Sequence, residues 1–259
     1  MKIKETCTVI IQERIAGDVY SLWLQTEKIA SQARPGQFVS LYSSDGSRLL
    51  PRPISLCEID GARGRLRLVY RVVGKGTKEF SGLSRGDTLD VLGPLGNGFP
   101  MEEAAGKKIF LIGGGIGIPP MLAAAQALAG NKEDRLLVMG YRDELFLDKE
   151  LAASGNLYVA TEDGSAGVKG NVLDAIRRHG LAADMIFACG PRPMLRAVHE
   201  YAVDRNITCY ISMEERMACG VGACLGCVCN STKVDDHSRV HNKRVCKDGP
   251  VFLSTEVEL

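Results

Sequence analysis

Short runs of hydrophobic and β-branched residues, broken by polar turn signals, dominate the first hundred residues. Residues 7–15 (CTVIIQERI), 19–25 (VYSLWLQ), 37–43 (QFVSLYS), 54–60 (ISLCEID), 65–73 (RLRLVYRVV) and 88–96 (TLDVLGPLG) are β-prone, and turn signals such as Arg34-Pro35-Gly36, Asp45-Gly46 and Arg85-Gly86-Asp87 separate them. Six such runs, roughly ten to fifteen residues apart, predict an antiparallel β-barrel. Trp23, the one tryptophan, falls in the second run and is expected to pack in its core. After Gly96-Asn97-Gly98-Phe99-Pro100 the pattern changes. Residues 107–128 (KKIFLIGGGIGIPPMLAAAQAL) read as a buried strand, a glycine turn and an alanine-rich helix beginning at the prolines. Residues 135–143, 156–164 and 184–194 are further strand-like runs, each followed by a helical stretch or a longer loop, which predicts a doubly wound parallel α/β sheet. A last strand, residues 208–214 (TCYISME), runs into a glycine- and cysteine-rich loop. The expected fold is therefore α+β and multidomain: a barrel over 1–100, an α/β domain over 101–212, and a small C-terminal subdomain over 213–259.

Composition narrows the functional classes. In 259 residues, 32 basic and 31 acidic side chains leave a formal charge of +1, which offers no electrostatic case for nucleic acid or an anionic membrane. No apolar run approaches the length of a membrane span, and no cleavable leader or lipidation signal stands out, so a cytoplasmic protein is expected. Nine cysteines in a reducing compartment are then free for metal and core use.

The loop at 215–229 (ERMACGVGACLGCVC) concentrates them. Cys219, Cys224, Cys227 and the later Cys246 read C-x4-C-x2-C-x18-C, the plant-type 2Fe-2S spacing. Gly220, Gly222 and Gly226 free the backbone to turn N–H groups toward sulfur. Zinc also takes four thiolates, but its structural loops pair the ligands as two short knuckles, and disulfide frameworks suit small secreted chains. Cys229 is a fifth candidate for four places and is expected to be a packing thiol, because the spacing is complete at Cys227.

Two earlier segments carry candidate chemistry. Arg52-Pro53-Ile54-Ser55 sets a guanidinium fork suited to a pyrophosphate, a stiff turn at the proline, and then, three residues after the arginine, a hydroxyl suited to a flavin edge. In residues 70–77 (YRVVGKGT) a strand is expected to end at Val73, and Thr77 to cap a short helix through about Leu83, with Gly74 and Gly76 opening the backbone for a phosphate. Either segment alone also fits an ordinary surface turn. In the second domain Gly113, Gly114, Gly115 and Gly117 allow close approach of a pyrophosphate, although Pro119 or Pro120 occupies the third glycine position of the G-x-G-x-x-G fingerprint. Ligands of such sheets gather at the carboxyl ends of strands, here Gly113 to Gly117, Tyr141-Arg142, Thr161-Glu162-Asp163 and Cys189-Gly190-Pro191. Glu162 and Asp163 would disfavour a 2′-phosphate and favour NADH over NADPH, or simply form a turn. Cys189 either touches a nicotinamide or packs as a small thiol. His179 and His199 are expected on polar helix faces without a role, and His237 and His241 in a solvated loop.

NADH delivers two electrons as a hydride and a 2Fe-2S centre takes them singly, so a chain holding both needs a flavin between them. The arginine-x-x-serine strand followed by the glycine-threonine segment, with GGGIG-x-PP and CGP, resembles the ferredoxin-NADP reductase superfamily. That resemblance implies FAD phosphates held by Arg52 and by Gly76 and Thr77, a flavin ring faced by Ser55, and Val69, Tyr70 and Arg71 lining the cofactor. It also implies that Gly114, Gly115, Gly117, Cys189 and Gly190 embrace the pyrophosphate and nicotinamide of NAD(H). Pro53 stands where many relatives carry an aromatic residue. With the MACGVGACLGC loop added, nearly the whole chain resembles the electron-transfer subunits of NAD-dependent, type B dihydroorotate dehydrogenases. Membership would imply FAD, a 2Fe-2S cluster on Cys219, Cys224, Cys227 and Cys246, and a separate FMN-containing catalytic subunit in a 2+2 heterotetramer. Dihydroorotate would be oxidised on that partner, in pyrimidine synthesis, and electrons would pass through the cluster and FAD to NAD+. Subunits of NADH-dependent ferredoxin:NADP oxidoreductases and of sulfide dehydrogenases look similar. A cluster-based redox sensor is a third possibility, of a non-enzymatic kind. Val221 and Leu225 are expected to form an apolar docking patch or to shield the cluster.

Overall fold

The computed structural model describes residues 2–234 and 239–259, so His237 lies outside the described residues. The β-prone runs become strands β1 (Ile3–Ala16), β2 (Val19–Gln25), β3 (Phe38–Leu41), β4 (Arg52–Asp60), β5 (Arg65–Arg71) and β6 (Thr88–Leu95), with helices α1 (Ile29–Gln32) and α2 (Lys75–Phe80) between them. They close an antiparallel barrel in the order β1-β2-β5-β4-β3-β6, with β6 returning to β1. Period-two alternation sends Val9, Leu22, Leu24, Val39, Leu41, Leu56, Leu66 and Leu68 inward to one apolar core.

Four expectations change here. Trp23 is half-buried on the outer face, opposite Arg67 across the β2–β5 ladder, whose guanidinium lies 5.9 Å from its ring centroid. The inward positions of β2 belong to Leu22 and Leu24, so the indole gains a cation–π contact instead of the core. Strand β5 stops at Arg71 and leaves Val73 80% exposed. Gly74, in extended conformation, is the cap of α2, and Thr77 lies inside the helix. The Thr77 hydroxyl reaches back to accept the N–H groups of Val73 and Gly74 at 3.0 and 3.2 Å, which satisfies donors the short helix leaves free. The helix ends at Phe80, short of Leu83.

The second domain contains β7 (Ile109–Gly114), α3 (Ile118–Ala127), β8 (Arg135–Tyr141), α4 (Asp148–Ser154), β9 (Asn156–Thr161), β10 (Val168–Lys169), α5 (Val172–Arg178), β11 (Met185–Cys189), α6 (Arg192–Asp204) and β12 (Thr208–Ser212). These strands run parallel in the order β10-β9-β8-β7-β11-β12, and every residue of the central β7 is buried, as a sheet covered on both faces requires. Pro119 and Pro120 sit in the first turn of α3, where a missing N–H costs nothing.

The C-terminal segment forms a small ladder of β13 (Val228–Asn230) with β14 (Asn242–Arg244) and then returns as β15 (Val251–Leu253), which pairs antiparallel with β12. The cysteine loop thus leaves and re-enters the same sheet edge. Asn97, at the end of the barrel, accepts the Val251 N–H at 3.0 Å and donates to the Val251 carbonyl at 2.7 Å, so the barrel is stitched to that edge as well. On the opposite side Arg67 donates to Ser21 and pairs with Glu58 at 2.6 Å and with Glu150 of α4 at 3.3 Å, joining barrel to sheet domain.

Candidate functional site

The cysteine loop is built by local backbone geometry. Gly220 and Gly222 adopt φ of +66° and +85°, a region closed to most side chains, and the turns aim the N–H groups of Val221 and Ala223 at Cys219 Sγ, 3.4 and 3.3 Å away. Burial pushes the Cys219 thiol up, but these donors, the Cys224 N–H and the Cys224 thiol outweigh it and bring the group down to about 6. The Cys246 N–H points at Cys227 Sγ at 3.4 Å, and Cys246 is pushed up to about 12 by burial and by the neighbouring Cys227. Cys224 acts on Cys219, and both Cys227 and Cys219 act on Cys246, so the four thiols gather within electrostatic reach of one another. Among the described residues no group of three metal-ligating side chains closes round a single point. Sulfur atoms fed by backbone donors are the chemistry an anionic iron–sulfur group needs, and the donor set fits one.

Cys229 stands apart. It lies on β13, 4% exposed, and its thiol donates to the Lys243 carbonyl of the paired strand at 3.5 Å. Val221 is half-buried against the core, whereas Leu225 is 61% exposed, so the two residues divide the expected patch between shielding and exposure. Further anchors fix the loop. Lys2 donates to the Val221 carbonyl at 3.0 Å, Arg244 to the Gly222 carbonyl at 3.2 Å, and Arg192 at the start of α6 pairs with Glu215. A cleft of about 770 Å³ opens beside Cys246, with Lys2, Arg34 and Lys247 on its walls.

On the barrel, the Arg52 guanidinium donates to the Leu50 carbonyl and lies over Gly76, where a Cβ would come within 2.6 Å of its Cζ. The fold has thus brought together an arginine and a glycine turn 24 positions apart in sequence (76 − 52). Cross-strand register sets Pro53 opposite Ser40, Ile54 opposite Val39 and Ser55 opposite Phe38, so Pro53 and Ser55 share the outer face while Ile54 packs on the barrel core. The β5 trio is divided. Val69 is buried against the sheet domain with Ile118, Arg71 pairs with Asp18 at 3.1 Å, and Tyr70 fills the barrel, its hydroxyl accepting from Gln12 at 2.7 Å. Burial pushes that phenol up to about 12. The Tyr70 ring faces away from its two neighbours, so at this position β5 offers an outer-face site its backbone. Sequence reasoning missed Glu79. Its carboxylate gathers Ser43, the Ser44 N–H and hydroxyl at 2.8 Å each, and Arg48, clasping the 43–48 loop to α2. No motif marked it, because its partners come from a loop more than thirty residues earlier.

At the carboxyl edge of the sheet, Cys189 lies between Gly113 and Ser212 of the neighbouring strands. The residue is half-buried, and desolvation pushes its thiol up to about 12 against a hydrogen bond from Ser212. A Cβ at Gly117 would stand 2.6 Å from Gly190 N, and one at Gly114 or Gly190 would strike Met194, so these three glycines lock the two loops together. Gly115, at φ +53° with open space around its Cβ position, is the one that faces outward. Asp163 caps its own turn, accepting the Ser165 N–H at 2.9 Å and hydroxyl at 2.7 Å, which holds its carboxyl low; Glu162 is exposed. His199 is tied to Ser254 at 3.0 Å and His179 contacts the Tyr158 ring, so both have structural neighbours, while His241 lies 3.2 Å from the Ser231 carbonyl.

Comparison with known proteins matches three stretches of the chain. Residues 6–99 match an oxidoreductase FAD-binding domain, 111–200 an oxidoreductase NAD-binding domain, and 214–258 the iron-sulfur cluster binding domain of dihydroorotate dehydrogenase B. The "Dihydroorotate dehydrogenase B (NAD(+)), electron transfer subunit" of Geobacillus thermodenitrificans is 44% identical over 260 residues, covering 99% of each chain, and that of Bacillus caldolyticus is 45% identical with the same coverage. Among solved structures, the NADH-dependent reduced ferredoxin-NADP oxidoreductase superposes with a TM-score of 0.83 at 31% identity, over 97% of this chain and 89% of that one. The Amycolatopsis cytochrome P450 reductase GcoB shares the fold, with a TM-score of 0.69 at 23% identity over 80% of this chain and 67% of its own. No described helix is long and apolar enough to cross a membrane. An iron–sulfur loop, a flavin barrel and a nicotinamide sheet, joined in one chain at this identity over its full length, place it in the family of electron-transfer subunits of NAD-dependent dihydroorotate dehydrogenase B.

Proposed function

We propose that this chain carries electrons between the FMN of a dihydroorotate-oxidising catalytic subunit and NAD+, in the cytoplasm, as half of a 2+2 heterotetramer in pyrimidine biosynthesis. The observation that carries the reading is full-length similarity, 44% over 99% of both chains, to a subunit bearing that name. The three domains 1–100, 101–212 and 213–259 divide the work. Arg52, Gly76 and Thr77 take the FAD phosphates. Pro53, Ile54 and Ser55, with Val69, Tyr70 and Arg71 of the next strand, form the rest of the flavin site. Gly114, Gly115, Gly117, Cys189 and Gly190 receive NAD(H), with NADH preferred because Glu162 would repel a 2′-phosphate. Cys219, Cys224, Cys227 and Cys246 would hold the 2Fe-2S cluster, with the Val221 and Ala223 N–H groups directed at Cys219 and the Cys246 N–H at Cys227. FAD, when bound, supplies the exchange between two-electron and one-electron transfer that NAD(H) and the cluster require.

This chain's own residues set the distances. Strand β12 enters the cluster loop beside Cys189, and Gly220 of that loop rests against Ser40 and Leu95 of the barrel, so the three sites converge on one region. Exposed Leu225 and the cationic cleft walls of Lys2, Arg34 and Lys247 are the surface on which the partner is expected to approach. Reconstitution tests the reading. With an FMN-containing dihydroorotate-oxidising subunit, NAD+ reduction by dihydroorotate should require both chains, and the assembly should have the mass of two copies of each. The similarity to the ferredoxin-NADP oxidoreductase structure supports a second reading, a small subunit of such an enzyme. Co-purification with a large iron–sulfur, glutamate-synthase-like subunit would favour it. A redox sensor would show no partner reduction at a useful turnover.

A further inference from the structure

Ser40 lies on β3 between Val39 and Leu41, which fill the barrel interior, so alternation turns its side chain outward. Phe38, on the same outer face, packs in one buried cluster with Cys227 and Cys246. A Cβ on Gly220 would stand 3.1 Å from Ser40 Oγ, which puts the hydroxyl directly under the residue following Cys219. Register sets Ser40 opposite Pro53, and Phe38 opposite Ser55, so the same hydroxyl borders the outer face of β4.

Ser40 is fully buried, and its Oγ has no hydrogen-bond partner among the described residues. Among the described residues two other buried polar side-chain atoms share that condition, Gln12 Oε1 and Arg135 Nε, but their side chains are otherwise engaged. Gln12 donates to Tyr70 and to the Phe80 carbonyl, and Arg135 donates to the carbonyls of Ala125, Leu128 and Gly130. Ser40 has one polar atom and it is unpaired. A buried hydroxyl in that condition is costly, and alanine would fill the position without the cost. The hydroxyl therefore calls for an acceptor from outside the chain, and the sulfur-rich loop over Gly220, against which it lies, is a site built to hold one.

We propose that Ser40 is a positioning residue of the iron–sulfur site: its hydroxyl donates a hydrogen bond to the group held at the Cys219 side of the loop. A donor aimed at cluster sulfur stabilises the more negative, reduced state and so raises the reduction potential. The proposal rests on reading residues 215–229 as a cluster loop.

The test uses the full-length protein with its cofactors in place. Ser40→Ala should retain iron, and a potentiometric titration followed by the electron paramagnetic resonance of the reduced cluster should show a more negative midpoint, with the flavin couple unmoved. The chelator-stripped variant should melt at the same temperature as stripped wild type or higher, because an unpaired hydroxyl has gone. Ser40→Thr and Ser40→Val form a near-isosteric pair that differs by the hydroxyl. Thr should lie above Val in midpoint, which keeps the comparison if the alanine variant loads poorly. An unchanged midpoint, a shift confined to the flavin, or a stripped alanine variant destabilised as much as the loaded one would each overturn the proposal. Wild-type protein that holds zinc or no metal would instead overturn the cluster reading, and the proposal with it.

Discussion

Cys227 and Cys229 sit two residues apart and compete for one ligand place, and the structure separates them by what each sulfur touches. Cys227 Sγ receives the Cys246 N–H at 3.4 Å, and Cys227 acts on the Cys246 thiol. Cys229 is directed at the neighbouring strand, where it donates to the Lys243 carbonyl at 3.5 Å. Cys229→Ser should therefore keep its iron. The new hydroxyl can make the same donation, so what remains is the cost of burying oxygen in place of sulfur at a site 4% exposed. With a partner retained that cost is about 1 kcal/mol, near the low end for burying a hydroxyl, and should lower the melting temperature by roughly 2–4 °C. Cys227→Ser removes a thiolate from the proposed ligand set and should lose the cluster. Iron and acid-labile sulfide content, visible absorption and a thermal melt on the two variants decide the matter. Iron lost from Cys229→Ser and kept by Cys227→Ser would refute the ligand set and the reasoning from sulfur contacts.

Cys219→Ser and Cys224→Ser should each abolish the cluster absorption while leaving flavin bound, and flavin released by acid should be FAD; FMN would contradict the barrel assignment. In Gly117→Ala the new Cβ would meet Gly190 N at 2.6 Å, backbone against backbone, so a loss of about 1–3 kcal/mol with weakened NADH binding is expected; a variant with wild-type melting and NADH titration would show that the two loops are not locked. Arg67→Met strips the shared cation from Glu58 and Glu150. Because Glu150 is 41% exposed, the cost should be about 2 kcal/mol, below the 3–5 kcal/mol of a fully buried pair, and urea unfolding measures it. Glu79 is held below its ordinary 4.5: burial pushes it up, but hydrogen bonds from Ser43 and Ser44 and the charge of Arg48 win. The loop clasp should thus be intact above pH 4.5 and be lost as pH falls through the lower folded value, seen as faster amide exchange over residues 43–48; Glu79→Gln with unchanged exchange at neutral pH would count against it.

Residue order alone determined much of this protein. Short β-prone runs between turn signals marked the six barrel strands, because the chain must reverse where turn residues break it, and strand-like runs each followed by a helical stretch marked the parallel sheet, because parallel strands need a crossover. The cysteine spacing pointed to iron and sulfur because ligand geometry constrains neighbours in sequence. Tertiary structure decided whatever depends on partners distant in the chain. Trp23 reads as a core residue until the ladder sets Arg67 across from it. Thr77 reads as a cap until its hydroxyl is seen folded back on Gly74. Tyr70 shares a motif with Val69 and Arg71, yet the pleat turns it the other way into the barrel. Strand β15 is too short to announce itself, and only pairing with β12 closes the cluster segment onto the sheet edge. Ser40 carries no motif at all. Its unpaired hydroxyl beneath Gly220 exists because a barrel strand and a loop 180 positions later (220 − 40) meet in space, and no local pattern encodes that meeting.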